Sequence, residues 1–344
     1  MTEPTSEHWS DPGAYPVADG VHRIPLPLPM DGLKAVNIYV IETEDGLTCI
    51  DGGWAIEVAR KQFEDSLKII GHHPRDITSF LVTHAHRDHY TQAVALRSEF
   101  GRATVALGFD DKPTLDLVVS DISEDPFAKR VRLGGGEEIA HEWEEWSKSS
   151  SMDEDLWIYP DTWIAEDTTI PVGSREISAI STPGHTAGHF VYADKAADLL
   201  FAGDHVLPTI TPSVGFEVIE DRFPLRDYLE SLAKVKAMPD LRLLPAHGDT
   251  HMRSHQRVDE LLAHHDERLA LCLQAVEAGH HTAWGVAREL PWTRHNRSFK
   301  ELDLFNAGMA VMETMVHLDL LWLREQVTRD LEDGVFRYSP VSAT

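Results

Sequence analysis

Short apolar runs alternate with amphipathic stretches through roughly the first 250 residues of the chain. Apolar runs of four to eight residues predict buried strands, whereas apolar residues recurring every three or four positions predict helices. Helices are predicted at 55–70 and 90–100. Strands are predicted at 36–41, 47–50, 80–82, 103–107, 176–180, 189–192, 199–202 and 241–244. Two successive series of this kind are typical of an α+β fold with four layers, αββα, in which helices enclose two sheets.

Beyond residue 252 the pattern changes to long helical stretches. Apolar periodicity predicts helices at 254–278, 283–290 and 299–329. The pair Asp333-Gly334 then predicts a turn into a short strand. Three helices and a small hairpin indicate a winged-helix-like module. The chain is therefore predicted to contain a flexible tail at 1–18, a main domain at 19–252 and a winged-helix-like domain at 253–344.

A stretch inside the main domain, residues 109–167, is longer than a strand–helix connection needs and is rich in tryptophan and acidic residues. We predict a helical insertion here, and we favour the interpretation that its tryptophans pack on the core. Long insertions also shape access to nearby sites. In that second interpretation, Trp143 and Trp146 line a substrate pocket or a lid.

The densest group of metal-type ligands is the segment 83–89, Thr-His-Ala-His-Arg-Asp-His, directly after a predicted strand. A strand end holds the side chains that follow it in fixed directions, so His84 and His86 can point at one metal ion. Asp88 and His89 can point at a second ion nearby. Imidazole nitrogen and carboxylate oxygen are donors that zinc and similar ions select. Surface histidines are the alternative in a chain with 20 histidines, but they do not explain an ordered group behind a strand.

Further histidines and aspartates also follow predicted strands, and most have a glycine beside them that lets the backbone turn sharply. These residues are Asp51, His185, Asp204 and His247. Strand ends that each deliver a ligand indicate one site at one edge of a sheet.

The order of these motifs resembles that of the metallo-β-lactamase-fold hydrolases, a group that includes glyoxalase II, lactonases and ribonucleases. The resemblance covers roughly residues 20–250 and implies a two-metal site. The implied ligands of the first ion are His84, His86 and His185. Those of the second ion are Asp88, His89 and His247, with Asp204 bridging the two ions.

The same resemblance implies that Asp51 hydrogen-bonds and orients ligand histidines rather than binding metal. His189 and His205 adjoin the ligand motifs and are expected to support them, and His205 is also a candidate for the pocket wall. The helical C-terminal module resembles the one attached to the lactamase-beta-like hydrolases, whose mitochondrial members act as ribonucleases. The family also suggests a homodimer.

The implied chemistry is hydrolysis by a hydroxide shared between two cations. A metal ion lowers the pKa of bound water from about 15.7 towards about 7. Asp88 is the expected catalytic residue, because it can orient this nucleophile and accept its proton. The histidine and aspartate donors favour zinc, and iron and manganese remain open.

The substrate is less defined by the sequence. The net charge of −26 and the absence of a dense basic groove argue against nucleic acid and favour an uncharged small molecule. We therefore expect cleavage of an ester, thioester or lactone. The second hypothesis is a metal-dependent endoribonuclease or phosphodiesterase, because two metal ions suit in-line displacement equally well. A β-lactamase or an iron-dependent oxidative enzyme is the third.

The remaining composition bears on the location of the protein. No apolar run approaches the length of a membrane span, and the polar start of the chain shows no secretory signal, so no membrane partner is expected. Cys49 and Cys272 are far apart in sequence, as expected for reduced thiols. These observations predict a cytoplasmic protein.

Overall fold

Two β-sheets form the centre of the structure, a computed structural model that describes residues 8–29, 32–118, 120, 125–148, 154–217, 222–293 and 296–341. The first sheet contains, in spatial order, β1 (Tyr15–Ala18), β2 (Val21–Pro27), β3 (Ala35–Thr43), β4 (Gly46–Ile50), β5 (Ile77–Leu81), β6 (Thr104–Gly108) and β7 (Thr162–Ile164). The second contains β8 (Thr168–Val172), β9 (Arg175–Ser181), β10 (Phe190–Asp194), β11 (Leu199–Gly203) and β12 (Arg242–Pro245).

Helices occupy most of the remaining chain. They are α1 (Glu57–Ile69), α2 (Arg87–Phe100), α3 (Lys112–Val118), α4 (Pro126–Leu133), α5 (Glu137–Ser147), α6 (Pro224–Ala237), α7 (Ser254–Glu277), α8 (Ala283–Ala287) and α9 (Leu304–Leu323). A hairpin of β13 (Val327–Glu332) and β14 (Val335–Pro340) follows α9. The mixed α and β composition with separate sheets confirms the predicted fold class.

Alternating side chains of β3 show how the first sheet builds two cores. Val36, Ile38 and Val40 face one core together with residues of α1 and α2. Tyr39 and Ile41 face the opposite side, where they join residues of the second sheet. Successive side chains of a strand point to opposite faces, so a fully apolar strand can serve both cores. Helices, first sheet and second sheet are thus stacked in layers.

The direction of the strands brings several strand ends to one edge. In the first sheet β4, β5 and β6 run parallel to one another. In the second sheet β11 and β12 are parallel, and β9 runs in the same direction because both β9 and β11 are antiparallel to β10. The sequence predicted a site at the edge of one sheet. The structure corrects this, because the motif-bearing strand ends come from two sheets that share a core.

The chain divides into two compact units. The first is built from residues 1–119, 153–212 and 233–258, and the second from 120–152, 213–232 and 259–344. The predicted insertion at 109–167 is therefore split between the units, since β7 joins the first sheet while α4 and α5 belong to the second unit. The second unit also contains α8, α9, the hairpin and most of α7.

Two predicted boundaries were wrong. Residues 15–18 were assigned to a flexible tail, but they form β1, which pairs antiparallel with β2. The helix predicted at 299–329 is instead a short turn of 3-10 helix at Phe299–Glu301 followed by α9, which begins after the capping side chain of Asp303. It ends at Leu323 because the following residues pair in the hairpin. Within the described ranges, no helix combines the length and apolarity needed to cross a membrane.

Candidate metal centre

The turn from β5 into α2 carries four of the predicted ligands. His84 lies in the turn, His86 is the N-terminal cap residue of α2, and Asp88 and His89 lie in its first turn. The positive end of the helix dipole favours a carboxylate at this position. The segment that carries these side chains is thus fixed by β5 at one end and by α2 at the other.

Three imidazoles converge on one point. His84 Nε2 lies 3.0 Å from His86 Nδ1, and His185 Nε2 lies 3.1 Å from the same His86 atom. Nitrogen ligands of a tetrahedral zinc ion lie about 3.3 Å apart, given Zn–N distances of about 2.0–2.1 Å. The structure therefore brings together the histidines that the sequence assigned to the first ion.

A second group adjoins the first. Asp88 Oδ2 lies 3.6 Å from His89 Nε2 and 3.5 Å from His247 Nε2. Asp204 faces both groups, because its Oδ2 is 3.5 Å from His185 Nε2 and 3.7 Å from His89 Nε2. This is the arrangement predicted for the second ion and for the bridging carboxylate.

Several atoms in this cluster that could bind a metal ion have few or no hydrogen bonds. His89 Nε2 is buried and has no hydrogen-bond partner among the described residues. His247 Nε2 and Asp204 Oδ1 are also buried and face each other at 3.3 Å. A buried polar group without a partner costs about 1–3 kcal/mol. Because these atoms converge and include imidazole and carboxylate donors, the residues present fit divalent metal ions.

Neighbouring groups orient the ligand histidines through their other ring nitrogen. His89 Nδ1 donates to Asp51 Oδ2 at 2.9 Å, and His247 Nδ1 donates to the carbonyl of Ala35 at 2.7 Å. Asp51 has a positive φ of 63° and also accepts from the backbone N–H of Thr83 at 2.7 Å. Such contacts set the tautomer and raise the basicity of a metal ligand. Asp51 therefore lies where the sequence predicted an orienting carboxylate.

Burial and neighbouring charges shift the pKa values of the histidines in this cluster in opposite directions. Burial lowers the pKa of His84 and lowers that of His86 to about 3, with nearby histidines adding to the effect. Burial also acts to lower the pKa of His89, but Asp51, Asp88 and Asp204 outweigh it and raise the pKa to about 10. Neutral His84 and His86 have the lone pairs that metal ligands require.

His189 and His205 lie behind the ligands. His189 Nε2 accepts from the backbone N–H of Asp204 at 3.2 Å, and its Nδ1 lies 2.9 Å from Thr182 Oγ1. Gly203 has φ +51°, and a Cβ there would lie only 2.7 Å from His189 Nε2. His205 is fully buried beside His189, with ring centroids 6.0 Å apart. Both histidines thus lie where they can support the strand end that carries Asp204.

Sequence analysis missed Asp111. Its buried carboxylate accepts from the backbone N–H of Ala85 and from that of Gly188, both at 2.7 Å, and so ties together the loops carrying His86 and His185. Burial raises its pKa to about 6, against the opposing effect of these N–H groups. A search for aspartates directly after predicted strands could have found Asp111, because Asp111 follows β6 at the same edge as the other motifs.

The two tryptophans proposed for the pocket belong to the second unit. Trp143 is 2% exposed and stacks on Phe305, with ring centroids 5.5 Å apart. Its burial supports the packing interpretation that we favoured. Trp146 is 48% exposed, and its role in a pocket stays a prediction. Within the first unit the accessible side of the cluster is formed by His86 and Asp88, which are partly exposed.

Comparison with known proteins identifies a family. A protein-family model described as the metallo-beta-lactamase superfamily matches residues 31–247, which is well over half of the chain. A beta-lactamase domain protein from Burkholderia ambifaria shares 27% sequence identity, with a TM-score of 0.78 over 98% of this chain and 96% of that one. A metallo-beta-lactamase family protein from Thermus thermophilus is 24% identical, with a TM-score of 0.71 over 95% of this chain and 100% of that one, and so shows the shared fold.

Matches to sequence relatives are shorter. A beta-lactamase-like protein 2 homolog from Caenorhabditis elegans is 33% identical over 31% of this chain and 33% of that protein. A hydroxyacylglutathione hydrolase from Rhizobium johnstonii is 26% identical over 48% of this chain and 45% of that protein. The chain thus spans about a third to a half of the length of these relatives.

Proposed function

This chain belongs to the metallo-beta-lactamase superfamily, and from that premise we propose that it is a binuclear metallohydrolase. Its substrate is a small or medium-sized, mostly uncharged ester, thioester or lactone. The observation that carries the proposal is the position of Asp204, whose Oδ2 lies 3.5 Å from a histidine of one ligand group and 3.7 Å from a histidine of the other. A carboxylate that faces both groups is suited to a pair of ions rather than to one.

Each ligand group would hold one ion. The first group consists of His84, His86 and His185, and the second of Asp88, His89 and His247. Bound divalent ions of the zinc class would polarise the scissile carbonyl and lower the pKa of water towards about 7. The full histidine and aspartate set favours zinc, with iron and manganese as the other donor-compatible metals.

The chain's own residues direct the attack. Asp88 is 16% exposed and lies at the accessible side of the cluster, so its carboxylate is placed to accept a proton from an incoming water molecule. Asp51 keeps His89 oriented through the 2.9 Å hydrogen bond to its Nδ1. No serine or cysteine nucleophile is needed, since Cys49 is buried and burial raises the pKa of its thiol.

Two observations support an acyl substrate. The hydroxyacylglutathione hydrolase of Rhizobium johnstonii, by its name, acts on an acyl compound. The net charge of −26 repels polyanions at long range and so disfavours a nucleic-acid substrate. Hydrolysis of a carbonyl centre is therefore the activity to test first.

The test pairs metal analysis with a substrate panel. Full-length protein purified without added metal is expected to contain two equivalents of zinc-class metal in the ligand groups described above. It should hydrolyse members of an ester, thioester and lactone panel and leave single-stranded RNA intact. Cleavage of RNA without acyl hydrolysis, or a single iron with neither activity, would overturn the proposal.

A matched pair of variants separates catalysis from folding. Asp88→Asn removes the proposed proton acceptor while preserving side-chain size, so acyl hydrolysis should fall by about 10²-fold or more. Asp45→Asn makes the same change at an exposed residue of the turn between β3 and β4 and should keep full activity. Equal activity of the two variants would remove Asp88 from the mechanism.

A further inference from the structure

The second unit contains its own group of metal-type ligands. His265 lies on α7, and Glu313 and His317 lie on α9. One ligand atom from each residue lies within 4.8 Å of the others. His265 and His317 are buried, and the Glu313 side chain is 17% exposed. None of these residues belongs to the unit that carries the metallohydrolase ligands.

Helix geometry explains why the three side chains meet. Glu313 and His317 are four positions apart, so they lie on one face of α9. The imidazoles of His265 and His317 face each other edge to edge, with ring centroids 5.3 Å apart and planes inclined by 26°. Metal sites in helical bundles are built in this way, from side chains on facing helices.

The hydrogen bonds fix the direction of the His317 lone pair. Its Nδ1 donates to the backbone carbonyl of Glu313 at 2.7 Å, so the neutral ring has its lone pair on Nε2. That atom lies 3.1 Å from His265 Nδ1. Either a proton or a cation must lie between the two nitrogens, because two facing lone pairs repel each other. Their separation is close to the roughly 3.3 Å expected for two nitrogens on one tetrahedral ion.

Glu313 adds the negative charge that a cation needs. Its Oε2 accepts from the backbone N–H groups of Val214 and Gly215 at 3.0 and 3.1 Å, which anchors the carboxylate. The second oxygen, Oε1, is oriented towards the imidazole of His317 at 3.9 Å from Nδ1. One oxygen is thus used for positioning, and the other lies beside the imidazole of His317.

Arg268 is a neighbouring positive charge that opposes a bound cation. Its guanidinium lies over the ring of Trp292, 4.0 Å from the centroid, and donates to the carbonyl of Pro291.

We propose that His265, Glu313 and His317 form a separate site for one divalent ion of the zinc class, which links α7 to α9 within the second unit. Two imidazoles and one carboxylate supply three of the four positions of a tetrahedral ion, and water completes the set. The burial of the two imidazoles assigns the site a structural role. The ion would crosslink α7 and α9.

The test counts metal in variants matched in chemistry. His317→Asn keeps a donor for the carbonyl of Glu313, because the asparagine amide corresponds in position to Nδ1, but it removes the Nε2 ligand. His281→Asn is the control, since His281 Nδ1 makes a similar 2.8 Å bond to the carbonyl of Tyr338 outside any ligand group. After loading of full-length protein with zinc and removal of the excess, His317→Asn should contain one equivalent less than wild type. His281→Asn should contain the wild-type amount.

Equal metal content in His317→Asn and wild type would overturn the site and leave a proton between the two histidines. A second measurement covers the case in which His317→Asn does not fold. Anomalous scattering at the zinc edge from wild-type crystals soaked in zinc should show a peak between His265 and His317. Peaks at the His84 and His89 groups without a peak at His265 would refute the proposal. Neither measurement depends on which substrate the enzyme cleaves.

Discussion

The two units carry two histidine and carboxylate groups that are built in opposite ways. In the first unit the ligands follow the ends of strands, and His84, His86, Asp88 and His89 lie within six consecutive residues. In the second unit, His265 and His317 are 52 positions apart on the faces of two helices. Strand ends deliver side chains into an open edge, whereas helix faces deliver them into an interior.

The surroundings of the two groups indicate different roles. Asp88 in the first group is 16% exposed and can meet substrate. Glu313 in the second group is 17% exposed, but the backbone N–H groups of Val214 and Gly215 hold its carboxylate, and His265 and His317 are 0% and 1% exposed. We therefore expect changes in the first group to remove activity and changes in the core of the second unit to remove stability.

The largest effect is expected for Asp204→Asn. Asparagine retains the shape of the side chain but loses the charge that faces both ligand groups. Loss of several kcal/mol of electrostatic stabilisation corresponds to a decrease of about 10³-fold in kcat/KM. Steady-state kinetics on the best acyl substrate, with metal content measured in parallel, would check this. A decrease of less than tenfold in kcat/KM would mean that Asp204 does not face the reacting centre. The proposed catalytic role of the first group would then be wrong.

Trp143→Ala tests whether a change in the core of the second unit lowers stability rather than activity. The indole is 2% exposed and packs against Phe127, Trp146 and Phe305. Its removal should lower the free energy of unfolding by about 3 kcal/mol. Urea denaturation followed by circular dichroism measures this loss. Activity of the folded variant should remain near that of wild type, and a large rise in KM with unchanged stability would restore the pocket role of this residue.

Asp111→Asn should have an intermediate effect. The carboxylate accepts one N–H from each of two ligand loops, and asparagine would place an amide donor against one of these N–H groups. Loss of such support lowers metal affinity or activity by about 10–100-fold. Competition with a chromophoric chelator measures the affinity. Asp110→Asn, at the exposed neighbour, is the control, and equal affinities of the two variants would show that Asp111 does not position the ligands.

Trp146→Ala should have the smallest effect on stability. The side chain is 48% exposed, so its removal should cost less than about 1 kcal/mol. It is also the matched control for Trp143→Ala, because the two rings are in contact at 5.6 Å between centroids. A rise in KM without loss of metal would support the predicted lid or pocket wall. An unchanged KM in Trp146→Ala would mean that the tryptophans contribute to packing and do not line a substrate pocket.

The candidate metal ligands of the first unit could be predicted from the sequence because strand ends are local. A buried run followed by a short turn constrains the next few side chains, so the segment 83–89 and the motifs of His185, Asp204 and His247 were found without coordinates. Asp111 follows the same rule but was hidden, because its residue range was assigned to an insertion. The predicted position of α7 and the predicted start of α8 also agree with the structure, in which Thr282 caps α8, whereas α8 ends at Ala287 rather than at residue 290.

Other features were decided only by tertiary structure. The sequence predicted one sheet edge, whereas the site combines strand ends from two sheets that share an apolar core. Residues 120–152 are grouped with the C-terminal helices although they lie inside the predicted main domain. For the group of His265, Glu313 and His317, the sequence shows only the i, i+4 spacing of Glu313 and His317, and nothing in it links this pair to His265. Apolar packing brings such residues together without directional preference, so their meeting depends on the fold as a whole rather than on neighbouring residues.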